Sequence, residues 1–244
     1  SLKAVNPRLI YASLSGYGTS GPEKDGRGFD FTAAWARSGV QHLLCEPGAS
    51  PPMAPNGMMD RATGTMMVAG VLAALLHREK TGQGQQLELS LYHSGVWGLA
   101  ADLQETLGGN TVAPRDRRQA VNPLCNTYRT RDGFWVQLAM LQADSFWTDF
   151  CEVIARPDLK TDPRFDTMGP RADNREELIT ILDDVFASAT RSEWETSLHA
   201  GNCIFGWVEP PEALINDPQA KANGLFTKMV HPEAGESDYI TSPV

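Results

Sequence analysis

Asp60 stands directly before a run whose apolar residues Met66, Met67, Val71, Leu72, Leu75 and Leu76 recur at helical spacing, and Thr81-Gly82-Gln83-Gly84 stops the run. Asp is a preferred N-cap, so its task could end with satisfying a free N–H at the start of a helix over 61–80. A carboxylate at the positive end of a long helix is also held ionised and oriented, as attack on a polarised carbonyl requires. The two roles are compatible, and the residues alone leave both open. Gly16-Tyr17-Gly18-Thr19-Ser20-Gly21 follows a strand and formally matches the dinucleotide pattern, but Pro22 comes next and 23–28 has no apolar periodicity. The helix that should receive a pyrophosphate is missing, and the segment reads as a flexible loop near a ligand. None of the five histidines forms a His-x-x-x-His or His-Glu pattern, and no Gly-x-Ser-x-Gly occurs. Cys45, Cys125, Cys151 and Cys203 make no Cys-x-x-Cys pair, so neither a metal site nor a disulfide framework is expected.

The elements that position these residues follow from pattern and punctuation. Leu9 to Leu14 reads as a buried strand and Gly16 to Gly28 as an exposed loop; Phe29 to Ser38 reads as a short helix, and Pro47 to Gly57 as irregular chain. After the 61–80 helix, Gln86 to Leu91 alternates as a strand and His93 to Leu107 forms one helix with Val96, Leu99, Leu103 and Leu107 on a face. Asn110 to Asn122 is a polar linker, which divides the chain into 1–109, the linker 110–122, a small α+β lobe over 123–216 and a loop-rich return over 217–244. In the small lobe, strands flank Arg131-Asp132-Gly133, and helices are expected over 143–155, 175–188 and 192–200, with a proline-bounded loop over 157–170.

At 244 residues and 41% apolar composition the chain can bury a substantial core. Twenty-one Lys and Arg against 30 Asp and Glu give a net charge of -9 with no basic stripe, which argues against nucleic acid as a partner. The longest apolar run, Met66 to Leu76, is broken by Gly70 and too short for a bilayer, and the N-terminus lacks the regions of a signal peptide. No membrane partner is expected, and the cytoplasm is the expected address. On the residues alone, the chain is a soluble, enzyme-like α/β protein with a glycine-rich loop.

A resemblance carries the reading further. Asn6-Pro7-Arg8-Leu9-Ile10-Tyr11-Ala12-Ser13-Leu14-Ser15-Gly16-Tyr17-Gly18, then Gly28-Phe29-Asp30, Asp60 before Gly64, and Leu72 through Gln85 resemble the class III CoA-transferases of the CaiB/BaiF type. These are the formyl-CoA transferase and carnitine CoA-transferase group. Tyr128 through Gly133, Trp147, Asp162-Pro163-Arg164-Phe165, Trp194 and Asp217-Pro218-Gln219 before Gly224 are similar to the family's small lobe and exit. The resemblance implies an α/β fold made of part of an open, Rossmann-like CoA-binding domain plus a small α+β domain, the chain beginning after the family's N-terminal half. It implies acyl-CoA and a small carboxylic acid as substrates, no metal, and an interlocked homodimer.

Residue by residue, the resemblance makes Asp60 the catalytic carboxylate, and Arg27, Gly28, Phe29 and Asp30 a stretch contacting CoA and the acyl end. Racemases of α-methylacyl-CoA on the same fold carry Gly-His-Asp where this chain has Gly28-Phe29-Asp30, and a phenyl ring cannot carry a proton. Transfer of CoA is therefore favoured over racemisation or isomerisation, and a non-catalytic CoA-binding fragment is the remaining alternative. Phe29 has a structural alternative as well, that of a core aromatic opening its helix.

Overall fold

Residues 2–242 are described by a computed structural model, in which the chain divides into two units between Asp116 and Arg117. The first unit is built on two parallel strands, β1 (Tyr11–Ser15) and β2 (Gln86–Ser90), paired from Tyr11 with Gln86 to Ser15 with Ser90. Parallel strands need a long crossover, and here it carries the 24-residue helix α3 (Met58–Thr81). α1 (Leu2–Val5) precedes β1, a π-helix (Asp30–Ala36) and α2 (Val40–Leu43) precede α3, and α4 (Leu91–Gly98) and α5 (Ala100–Leu107) follow β2.

Three expectations need correcting here. The strand expected to be buried is half-open: Tyr11 and Leu14 are 49% and 47% exposed, because β2 is its only strand partner among the described residues. The helix expected over 29–38 winds as a π-helix and ends at Ala36. The single helix expected over 93–107 is two, since the backbone leaves helical geometry at Leu99, directly after Gly98. Ser90 caps the first of them, its Oγ accepting the His93 N–H at 3.1 Å. The 66–76 run also lies inside a longer helix than the run itself: by length and composition alone α3 could span a membrane, and Met66, Val68, Leu72 and Leu76 are exposed on it.

A small core of Ala33, Ala34, Trp35 and Leu91 joins the π-helix to α4. The approach is close because position 95 is glycine. A Cβ there would overlap the Ala34 carbonyl oxygen and lie 2.7 Å from Ser38 Cβ. Overpacking of this kind costs roughly 1–3 kcal/mol, so Gly95→Ala should lower the urea midpoint while Gly98→Ala, with open space around it, should not.

The second unit packs helices on a three-stranded antiparallel sheet, β3 (Thr127–Arg129), β4 (Trp135–Leu138) and β5 (Phe205–Trp207), in that order. The helices are α6 (Ala143–Val153), α7 (Met168–Asp173), α8 (Arg175–Phe186) and α9 (Arg191–Ala200). Tyr128 stacks on Phe186 at 5.0 Å between ring centres, Phe186 meets Trp194 at 4.8 Å, and the Trp194 indole donates to the Phe186 carbonyl. This is a continuous, well-filled core of the usual kind. Thr190 and Glu193 form a reciprocal capping box at the start of α9.

The region expected to be a proline-bounded loop contains a 3-10 turn (Pro157–Lys160) and the start of α7. α10 (Pro211–Leu214) ends the small lobe, and the tail expected to be loop-rich over 217–244 contains α11 (Pro218–Ala222) and a hairpin of β6 (Phe226–His231) with β7 (Gly235–Ile240). Nearly every hairpin residue is exposed, so no apolar alternation marks it in the sequence.

Candidate active site

The start of α3 is set by Gly57, which enters the helix with φ of 61° and is its N-cap. Asp60 is thus the third helical residue and not the cap, a correction with a clear cause: Met58 and Met59 already have helical geometry, and the Arg61 N–H donates to the Gly57 carbonyl at 3.1 Å. Asp60 remains in the first turn, at the positive end of the helix, and is exposed. A glycine cap has no side chain to accept the free N–H groups of that turn.

Residues 16–28 form a loop closed at its neck. A Cβ on Gly16 would lie 2.5 Å from the Gly28 Cα, and one on Gly28 would lie 2.7 Å from the Gly16 Cα, so the two ends touch backbone to backbone. Ser15 Oγ accepts the Gly18 N–H at 2.9 Å, and Thr19 Oγ1 donates to Glu88 on β2. No helix begins between Gly16 and Phe29, which removes the phosphate-receiving element of a dinucleotide site.

The loop brings the four residues of the 27–30 stretch to very different surroundings. Arg27 is exposed, Gly28 closes the neck, and Phe29 is 66% exposed, which excludes the core-aromatic reading of that ring. The Phe29 N–H donates to Thr32 Oγ1 at 2.9 Å, and the next residue turns inward.

Asp30 is 3% exposed, and neither carboxylate oxygen has a hydrogen-bond partner; the same holds for Nε1 of the buried Trp35. Burial, first, and the charge of Asp60, second, raise its pKa above the ordinary carboxylate value. The nearby Met59 amide, Trp35 indole and Met58 amide act in the opposite direction, favouring the ionised form without closing a hydrogen bond to it. The π-helix that begins at Asp30 packs against α3, whose first turn carries Asp60. Among the described residues no hydrogen bond or ion pair ties Arg27 or Phe29 to Asp60.

Asp30's inward position was not read from the sequence. Its one signal was Gly57: a helix that starts on glycine has free amides, and their acceptor must come from another element.

The thiols are poor nucleophiles by comparison. Burial pushes Cys151 up to about 12 and Cys203 up to about 11, and burial raises Cys125 too. Among the described residues no three His, Cys, Asp or Glu side chains gather as a metal site.

The family model described as CoA-transferase family III matches residues 1–244. The chain belongs to CoA-transferase family III. Similar proteins include the (R)-2-hydroxy-4-methylpentanoate CoA-transferase of Clostridioides difficile, 33% identical over all of this chain and 61% of that protein. The cinnamoyl-CoA:phenyllactate CoA-transferase of Clostridium sporogenes is 34% identical over all of this chain and 60% of its own length. Among solved structures, that of Rv3272 from M. tuberculosis superposes with a TM-score of 0.86 at 30% identity, covering all of this chain and 64% of that one. A CAIB/BAIF family protein from Brucella suis matches with a TM-score of 0.81 at 26% identity, over 62% of its chain. The fold is the family III mixed α/β fold, and the chain spans about 60% of the length of the curated relatives it matches.

Proposed function

We propose that the protein carrying this chain moves coenzyme A between carboxylic acids, with Asp60 as covalent nucleophile. The observation that carries the proposal is an exposed carboxylate in the first turn of a 24-residue helix, in a chain matched end to end by the family III model. Asp60 attacks the thioester carbonyl of the donor; a C–O bond forms, the C–S bond breaks, and CoA thiolate leaves a mixed anhydride. The thiolate then attacks the Asp60 carbonyl, releasing the donor carboxylate and leaving an aspartyl-CoA thioester. The acceptor carboxylate attacks that thioester and displaces the thiolate, which takes the acceptor acyl group from Asp60 and frees the carboxylate. No water, metal or redox partner enters the balance.

In this reading 1–109 is part of the large CoA-binding domain, 123–216 the small domain and 217–244 a return toward the large one. The stretch Arg27, Gly28, Phe29 and Asp30 serves the CoA and acyl end, and the protein works as an interlocked homodimer in the cytoplasm. The test is to mix short acyl-CoA donors with a panel of carboxylic acids and separate the thioesters by chromatography. Appearance of acceptor-CoA in step with loss of donor-CoA is the expected result. Exchange of α-deuterium into an unchanged acyl-CoA, with no acceptor-CoA, would overturn the transferase reading in favour of an isomerase.

A further inference from the structure

We propose that Arg61 receives the acceptor acid: its guanidinium draws a carboxylate to the gap beside Asp60 and holds one oxygen while the other attacks the aspartyl-CoA thioester. The inference rests on the proposed role of Asp60 and adds the group that selects what reacts there.

Asp60 and Arg61 are neighbours in the first turns of α3, both exposed, and helical side chains tilt back toward the N-terminus. The two converge on Gly57. The point where a Cβ on that glycine would stand lies 3.5 Å from Arg61 Nη1 and 3.6 Å from Asp60 Oδ2. The cation and the nucleophile are thus no more than about 7 Å apart, inside the screening length of about 8 Å at physiological salt. Among the described residues no hydrogen bond or ion pair joins them, and with no side chain on Gly57 the gap between them stays open.

The guanidinium is anchored without being consumed. Its Nη2 donates to the Asn56 carbonyl at 3.0 Å, which uses one of five donors, and no carboxylate pairs with it among the described residues. That bond aims the group, and Nη1, on the side of Asp60, is left for a ligand.

The charge changes of the reaction give the cation its moment. While Asp60 is ionised, its charge offsets that of Arg61, and a second anion gains little by approaching. Once Asp60 is a CoA thioester it is neutral, and Arg61 presents an uncompensated positive charge beside the carbon to be attacked. A carboxylate is drawn in at the step that needs one. A charge-assisted N–H···O bond to one of its oxygens leaves the lone pairs of the other free. That second oxygen forms the C–O bond as the C–S bond breaks and the thiolate leaves. Engagement of Nη2 by Asn56 works against a two-pronged grip that would occupy both oxygens. The ligand class is a small carboxylate anion; a neutral alcohol or amine has no charge for Arg61 to hold.

The test compares the full protein with Arg61→Gln, which keeps a donor for the Asn56 carbonyl and loses the charge, and with Arg61→Lys, which keeps the charge. The readouts are the KM of the carboxylic acid and of the acyl-CoA that react fastest in the exchange panel, the rate of adduct formation on Asp60 from acyl-CoA alone, and the thermal midpoint. Arg61→Gln should raise the acceptor KM at least about tenfold, with the donor KM and adduct formation within about twofold of the parent. Arg61→Lys should stay within about threefold on every constant, since an ammonium still attracts a carboxylate as a point charge. An unchanged acceptor KM in Arg61→Gln, or a lysine variant as impaired as the glutamine one, would overturn the inference alone. A rise in the donor KM instead would assign the cation to the phosphates of CoA, and an Arg61→Gln protein that does not fold would assign it a structural role; either overturns the inference. A parent protein that forms no adduct on Asp60 would overturn the Asp60 reading and this inference together.

Discussion

Asp60→Asn should reduce CoA transfer by about 10⁴-fold or more, the scale seen when a covalent nucleophile is removed from an otherwise intact site. An amide nitrogen is a poor nucleophile, and the amide oxygen carries no charge with which to attack a thioester. The fold should survive, because Asp60 is not the cap of α3 and its side chain is exposed. Loss of its charge near the helix N-terminus costs about 0.3–1 kcal/mol, and relief of repulsion from Asp30 acts in the opposite direction. A thermal midpoint within roughly 3 °C of the parent is therefore expected. Transfer and circular-dichroism melting measured on one preparation separate the possibilities. A folded variant that still transfers CoA would contradict the nucleophile, and an unfolded one would assign Asp60 a structural role.

The second large effect lies in the other unit. Arg171 on α7 is fully buried; it pairs with Asp144 on α6, donates to the Phe165 carbonyl at 2.7 Å, and lies 4.7 Å from the Trp147 ring centre. Its Nε has no partner, so the cation is only partly satisfied. Removing the carboxylate with Asp144→Ala leaves a buried cation short of a partner, and because Asp144 itself is more than half exposed the cost in urea unfolding should be about 2–3 kcal/mol, less than for a fully buried pair. Arg171→Met removes the charge and keeps much of the apolar stem, and its cost should be smaller, on the order of 1–2 kcal/mol. Equal losses from the two variants would mean that packing, and not the stranded charge, dominates at this site.

Sequence patterns reported those elements whose amphipathic faces are settled within the chain. α6, α8 and α9 each bury a stripe, including Phe150, Leu182 and Leu198, in the one core of their unit, so periodicity and burial agree. Gly133 with φ of 91° made the β3–β4 hairpin readable from Arg131-Asp132-Gly133. β5 escaped because it has three residues with Gly206 at its centre, too few for alternation to register.

β1 and α3 carry apolar residues that the described partners do not cover, Leu72 and Leu76 among them, and the burial expected of the β1 strand overshot at Tyr11 and Leu14. Resemblance singled out Asp60 and the 27–30 stretch as candidate site residues. The inward turn of Asp30 was not legible, since it depends on a glycine cap 27 residues later, which no local pattern connects to it.

The most direct test of covalent transfer is peptide mass spectrometry after incubating the protein with short acyl-CoA thioesters, with Asp60→Asn run in parallel. An acyl or CoA adduct on the peptide containing Asp60, absent from the variant, is the expected result. An adduct on another residue, or transfer that proceeds with the Asp60 peptide unmodified in a trapping experiment, would contradict the mechanism.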